Sequence, residues 1–345
     1  MPRPAEPRAT PPESVGPKMC CGATRPPGTA AATATDTPVD VPAPRTAPAG
    51  SGSEAADLSG MVHLEGGAFL MGTVDPDGFP EDGEGPVRRV TVDGFFIDEA
   101  AVTNVQFSRF IDATGYITEA ERFGWSFVFK GHLPPKQVQR LQKVQGSEWW
   151  VAVPGARWDR PLGERSDLRG REDHPVVQVS WNDACAYAAW SRKRLPTEAE
   201  WEFAARGGRE QTVFPWGDRL EPAGKHRCNV WQGRFPESNS EADGHFWTCP
   251  VRAYPPNGFG LYNVCGNVWE WTADGFSKDW HAEDRPETRD NPRGPDPATC
   301  SHRVQKGGSY LCHRSYCNRY RVGARTGNTP DSATTNAGFR CACDA

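Results

Sequence analysis

Cys312 and Cys317 stand five positions apart in the stretch from Lys306 to Arg321, which is dense in reactive side chains. On a helix that offset turns two residues about 140° from each other, and on a strand it puts them on opposite faces. The two sulfurs meet only if the chain bends between them. His313, Arg314, Arg319, Arg321 and Arg325 lie close in sequence, and neighbouring cations favour thiolate over thiol. Two thiolates form a soft donor set that suits Cu(I) better than Mg or Ca. Spacing alone leaves a local disulfide or two buried thiols equally open. His313 is the acid/base candidate by its chemistry.

A second group offers hard donors. Asn229, Asp243 and Glu270, with Asn263 and Gly266, sit in glycine-rich loops. Carboxylate, amide and backbone oxygens presented by loops are what Ca2+ prefers. There is no EF-hand pattern, and solvated loop positions are the alternative. The eleven cysteines contain no Cys-x-x-Cys, so the usual zinc scaffolds are excluded. An odd count also leaves at least one sulfur outside any full set of bridges.

Thirteen tryptophans and thirty-six glycines with few long periodic runs predict a loop-rich α+β domain to position these groups. Val90, Val92, Phe95 and Ile97 recur with a period near two, so Arg88 to Asp98 reads as a strand or hairpin. Thr103 to Thr114 reads as a helix with Val105, Phe107, Phe110 and Ile111 on its apolar face and Gly115 as its stop. Short capping side chains at Ser180–Asp183 precede a helix from Ala184 to Ser191. Thr197 and Glu200 form a capping box for another, closed by Gly207-Gly208 and striped by Trp201 and Ala205. Both read as surface helices that frame a site.

Residues 1–58 hold twelve prolines and no Phe, Trp or Tyr. Such a segment buries too little apolar surface to offset its ordering entropy, so a disordered tail and a single domain over 59–345 are expected. The net charge of −5 with no basic block argues against nucleic acid. No apolar run approaches the roughly 20 residues of a membrane helix, and neither a signal-peptide pattern nor a twin arginine is seen. A cytosolic location is expected.

The run Gly307-Gly308-Ser309-Tyr310-Leu311-Cys312-His313-Arg314-Ser315-Tyr316-Cys317-Asn318-Arg319-Tyr320-Arg321, then Asn328-Thr329-Pro330-Asp331-Ser332 and Gly338-Phe339-Arg340-Cys341, resembles the C-terminal signature of formylglycine-generating enzymes, the sulfatase-modifying factor family. Arg194-Leu195-Pro196-Thr197-Glu198, Asn229-Val230-Trp231-Gln232-Gly233 and Gly266-Asn267-Val268-Trp269-Glu270-Trp271 are similar to the same family. The likeness runs from about Met61 to Cys343, and the two-cysteine segment is its specific part. It implies a C-type-lectin-like variant fold and one Cu(I) held between Cys312 and Cys317. It further implies oxidation of the cysteine in an unfolded sulfatase segment, Cys-x-Pro-x-Arg, by O2 with a thiol reductant, through a thioaldehyde that hydrolyses to formylglycine.

By motif position, Ser309 and Tyr316 resemble residues lining the substrate cysteine's pocket. Trp269 resembles the aromatic wall near the metal, and Asn336 and His313 resemble substrate contacts. The resemblance also implies two structural Ca2+ ions, one on Asn229, Val230, Asp243 and His245, the other on Asn263, Gly266, Val268 and Glu270. Secreted members carry stabilising cysteines where this chain has Ala188 and Val322, which fits a bacterial-type cytosolic monomer. Two rival readings remain. An iron-dependent sulfoxide synthase of the same superfamily needs a His-rich site, and the eight histidines are scattered. A non-catalytic lectin-like binding module predicts loss of one cysteine of the pair.

Overall fold

Three capping boxes fix the main helices. Thr103 accepts from the Gln106 backbone N–H while the Gln106 side chain accepts from the Thr103 backbone N–H, starting the helix Asn104–Thr114; Gly115 ends it at φ 64°. Phe107 and Phe110 are fully buried, whereas Val105 is 43% exposed and so does not belong to the expected apolar face. Ser180 caps the helix Trp181–Trp190 with Asp183 as its reciprocal partner, which sets the start three residues earlier than expected. Thr197 and Glu200 do the same for Glu198–Arg206, closed by Gly207.

That last helix departs from expectation. It is buried over most of its surface, including Glu198, Glu202 and Arg206, and is therefore a core element. Charged side chains are tolerated there because each has a partner: Glu202 meets Lys306 at 2.9 Å and Arg206 at 2.6 Å, and Glu198 meets Arg325 at 2.8 Å.

The structure, a computed structural model, describes residues 22–25, 56–282 and 285–345. Its central sheet has four strands in the order Arg325–Asn328, Arg303–Lys306, Trp269–Gly275, Ala337–Phe339. The first two pairings are antiparallel and the last is parallel. Arg88–Asp98 is not a hairpin. Its first half, Arg88–Val92, pairs with Gly67–Met71, and its second, Phe95–Asp98, lies between Met61–Leu64 and Ala342–Asp344 in another sheet. The Asp93 N–H donates to Asn291 Oδ1 at 2.7 Å at the turn between them. A further antiparallel pair, Trp125–Phe129 with Ser147–Pro154, carries an aromatic cluster of Phe127, Phe129, Trp150, Trp231, Trp247, Tyr310 and Leu311.

Gly22–Arg25 lies within the stretch expected to be disordered, yet Ala23 and Arg25 are buried. Ala23 belongs to that aromatic cluster. The Thr24 hydroxyl donates to Asn328 Oδ1 at 3.2 Å, and the Arg25 N–H donates to Ser332 Oγ at 2.9 Å. Composition missed this packing because four residues can be seated by a groove they do not themselves build.

Candidate active site

The loop after Arg303–Lys306 brings the two sulfurs together. Gly307 and Gly308 both have positive φ, 89° and 71°. A Cβ on Gly308 would lie 2.8 Å from the Tyr320 backbone, so only glycine lets the two ends of the loop close. The Cys312 N–H donates to Ser309 O at 2.9 Å, and the Cys317 N–H donates to His313 O at 2.8 Å, closing a single turn. This is the bend the spacing required. The Sγ atoms of Cys312 and Cys317 stand 3.2 Å apart, both fully buried. They are not bonded to each other. Cys317 is disulfide-bonded, and the other described cysteines, Cys312 among them, are not.

A polar shelf supports Cys312. The Ser309 N–H donates to its sulfur at 3.3 Å, and Ser309 Oγ lies 3.9 Å from the same atom. Asn336 Nδ2 donates to Ser309 Oγ at 2.9 Å, and its Oδ1 accepts from Thr334 at 2.7 Å. The Trp269 N–H donates to Asn336 O at 2.8 Å, and its ring belongs to the buried cluster that contains both cysteines. Tyr316 donates its hydroxyl to Leu311 O and stacks on Phe235 with ring centroids 4.0 Å apart. Ser309, Asn336, Trp269 and Tyr316 are thus gathered about the pair. His313 is turned aside, its Nδ1 2.8 Å from Ser315 Oγ.

Three of the four arginines expected to activate the sulfurs serve carboxylates instead. Arg319 pairs with Asp82 at 2.5 Å, Arg321 with Glu84 at 2.7 Å and Arg325 with Glu198 at 2.8 Å. A buried guanidinium needs a carboxylate more than a thiol can satisfy it. Sequence reasoning also missed the aromatic rings beside the pair. Trp149 and Phe235 flank Tyr316, and the Trp231 backbone N–H donates to Cys312 O at 3.0 Å. Trp149 comes from the strand Ser147–Pro154 and the others from separate loops, so only their number hinted at such a cluster. Several of the remaining thiols are poor nucleophiles. Burial pushes those of Cys185 and Cys249 up to about 12, and those of Cys265 and Cys341 higher still.

Two soft sulfurs in contact, supported by an N–H donor, fit a Cu(I) ion once Cys317 is released as a thiolate. Among the first set of hard donors, Asp243 accepts from the N–H groups of Val230 and His245 at 3.2 and 3.1 Å. Asn229 Oδ1 is buried without a hydrogen-bond partner, which fits a cation. Among the second set, Asn263 Oδ1 is likewise unpaired. Glu270, however, gives both oxygens to Arg340 at 2.6 and 2.8 Å and accepts from Trp201 Nε1 at 2.7 Å. Those three bonds leave about one of its four lone pairs for an ion, beside Asn263 and the carbonyls of Gly266 and Val268. Among the described residues, no group of three or more His, Cys, Asp or Glu is arranged to hold a metal.

Residues 47–345 match the sequence model of a family described as a sulfatase-modifying factor enzyme 1-like domain. A formylglycine-generating enzyme of Thermomonospora curvata is 60% identical over 285 residues, spanning 83% of this chain and 93% of that protein. One from Streptomyces coelicolor is 54% identical over 308 residues, 88% of this chain and 96% of its own. An inactive C-alpha-formylglycine-generating enzyme 2 of Mus musculus is 48% identical over 288 residues, 83% and 86% of the two chains. Among solved structures, PvdO from Pseudomonas aeruginosa superposes with a TM-score of 0.59 at 25% identity, over 83% of this chain and 94% of that one. Variable protein 1 of Treponema denticola superposes with a TM-score of 0.51 at 21% identity, over 83% and 95%, a likeness of fold alone. The architecture is the expected loop-rich, C-type-lectin-like variant.

Proposed function

Because the chain belongs to the sulfatase-modifying factor enzyme family, we propose that it is a formylglycine-generating oxidoreductase, converting the cysteine of a sulfatase Cys-x-Pro-x-Arg segment to Cα-formylglycine. The observation that carries this reading is the 3.2 Å approach of the Cys312 and Cys317 sulfurs beside the rings of Tyr316, Phe235 and Trp149. Family membership alone does not decide activity, since an inactive relative is 48% identical. The cysteine pair supports the active reading. A binding module has no need of two buried sulfurs in contact, and an iron-dependent sulfoxide synthase would need histidines that the site lacks.

In this reading Cys312 and Cys317, as thiolates, hold Cu(I), which when bound supplies the activation of O2. Ser309 and Asn336 keep Cys312 in position through the N–H and hydroxyl contacts described. Trp269 and its neighbours exclude water from the sulfurs. Tyr316, Trp149 and Phe235 offer flat apolar walls to an extended peptide, which lowers the entropic cost of bringing its cysteine to the site. A thiol reductant is required to free Cys317. Asn229, Val230, Asp243 and His245 hold a structural Ca2+, and a second ion rests on Asn263, Gly266, Val268 and Glu270. We place the enzyme in the cytosol as a monomer. Among the described residues no helix is long and apolar enough to cross a membrane.

Incubation with Cu(I), a thiol reductant, O2 and a Cys-x-Pro-x-Arg peptide should yield an aldehyde, detected as a hydrazone, and a copper(I) chelator should abolish it. An inert, properly metallated wild type would overturn the reading.

A further inference from the structure

A cavity of about 380 Å³ shares no residue with the site around the cysteine pair. It opens beside the helix Trp181–Trp190, whose Trp181, Cys185, Ala188 and Ala189 line it. At i, i+4, i+7 and i+8 these side chains share one helical face. Leu195, Ala273 and Pro297 supply the facing walls. The frame is tied before any ligand arrives. Trp181 Nε1 donates to Thr272 O at 2.8 Å, and the Ala273 N–H donates to Pro196 O at 2.9 Å. A preformed pocket loses little ordering entropy when a ligand enters, and small-molecule sites span roughly 300–1,000 Å³.

The charge around this cavity is one-sided. Lys193, Arg194 and Arg293 line it, and no carboxylate does. Lys193 is answered by Asp98 at 2.9 Å, and Arg194 by Glu200 and Asp344 at 2.7 Å each. Arg293 is exposed and meets no carboxylate among the described residues. Arg303 stacks on Trp181 with its guanidinium 4.7 Å from the ring centroid and is 8% exposed. It donates to the carbonyls of Cys300 and His302, and its Nε is buried without a partner. The helix end offers no competing negative group. Ala188 O accepts from the Lys193 N–H at 2.8 Å and Ala189 O from the Arg192 N–H at 3.1 Å. Cys185 stays a neutral thiol, since burial pushes its pKa up to about 12, and it adds to the apolar wall.

We propose that this cavity is a second binding site, for a small aryl carboxylate whose one- or two-ring body fills the space between Trp181 and Pro297 and whose carboxylate meets Arg293 at the rim. The body is apolar because the walls are hydrocarbon, an indole and a neutral thiol, and its burial supplies the driving force. The head is a carboxylate because a guanidinium without a partner offers two parallel donors that match it. A cationic ligand would face Lys193, Arg194 and Arg293 with no carboxylate on the lining to receive it. Binding here needs neither the cysteine pair nor a metal, so the site stands whether or not the function proposed above holds.

The test titrates the full chain with naphthalene-2-carboxylate and, separately, with the neutral naphthalene-2-carboxamide, by isothermal titration calorimetry. The carboxylate should bind one per chain and about tenfold more tightly than the carboxamide, the scale of a charge-assisted pair at a rim. Arg293→Gln should remove that preference and leave carboxamide binding as in wild type. Ala189→Trp, which fills the cavity from an exposed position, should abolish binding of both probes. Thermal melts of the two variants separate loss of the site from loss of the fold, and if Ala189→Trp melts early, Arg293→Gln alone decides. Wild type that binds neither probe, or binds both equally, overturns the proposal. So does a preference that survives in Arg293→Gln, or a folded Ala189→Trp that binds as wild type does.

Discussion

Two buried polar regions are only a few residues apart along the chain, and they differ in every physical respect. At Lys306 the ammonium, with no exposed surface, sits 2.9 Å from Glu202 and 3.6 Å from Glu198. Arg206 and Arg325 share the same two carboxylates. Six residues on, Cys312 and Cys317 are equally buried, with the Ser309 N–H on the Cys312 sulfur and Cys317 held in a disulfide. The ion cluster has almost no unused bonding capacity and therefore little chemistry. The sulfur pair holds a bond that can be exchanged, since reduction turns the Cys317 disulfide into a soft thiolate beside Cys312. Burial alone does not mark an active site; burial with exchangeable bonds does.

The contrast breaks most sharply if the roles are exchanged. Cys317→Ser, assayed under reduction, should lower turnover by about a thousandfold or more while the unfolding free energy stays within about 1 kcal/mol of wild type; kinetics and denaturant melts separate the two. Glu202→Gln should do the opposite. It leaves Lys306 and Arg206 short of a partner and should cost about 3–5 kcal/mol of stability, with kcat per folded molecule unchanged.

Acid sharpens the same comparison. Burial pushes the Glu202 carboxyl up, but Lys306 and Arg206 more than offset this and hold it at about 2, below its ordinary 4.5. A depressed carboxylate contributes stability above its unfolded pKa, and that contribution disappears as pH falls from about 4.5 to about 2. The expected loss is about 3 kcal/mol in a pH series of melts, and Glu202→Gln should flatten that limb. The smallest effect is reserved for the shelf. Ser309→Ala removes the acceptor of Asn336 and should reduce turnover about tenfold, as loss of a group orienting a ligand does. An unchanged rate would mean that the shelf is only structural.

Much of this was legible in sequence, and for definable reasons. Capping boxes at Thr103, Ser180 and Thr197 are local, so their helices were found with boundary errors of a few residues at most. The cysteine offset demanded a bend, and Gly307-Gly308 supplies it. What failed was long-range. Arg319 and Arg321 find Asp82 and Glu84, each 237 positions away, and no local pattern announces such a pairing. Helix Glu198–Arg206 was misplaced at the surface for the same reason, because its carboxylates look solvated until Lys306 and Arg325 are brought to them. Gly22–Arg25 escaped because composition averages over a segment, whereas seating depends on three side chains, those of Ala23, Thr24 and Arg25.

Arg340 deserves its identity more than any residue near it. Its five N–H donors reach Glu270, Tyr262 O, Asp98 O and Glu99 O, so one flat ion cross-ties stretches of backbone that the sheets have already brought side by side. A lysine carries the same charge but only three donors radiating from a point, and it would leave carbonyls stranded in a dry interior. In a saturation library this position should accept arginine and nothing else, an intolerance that reflects geometry rather than charge.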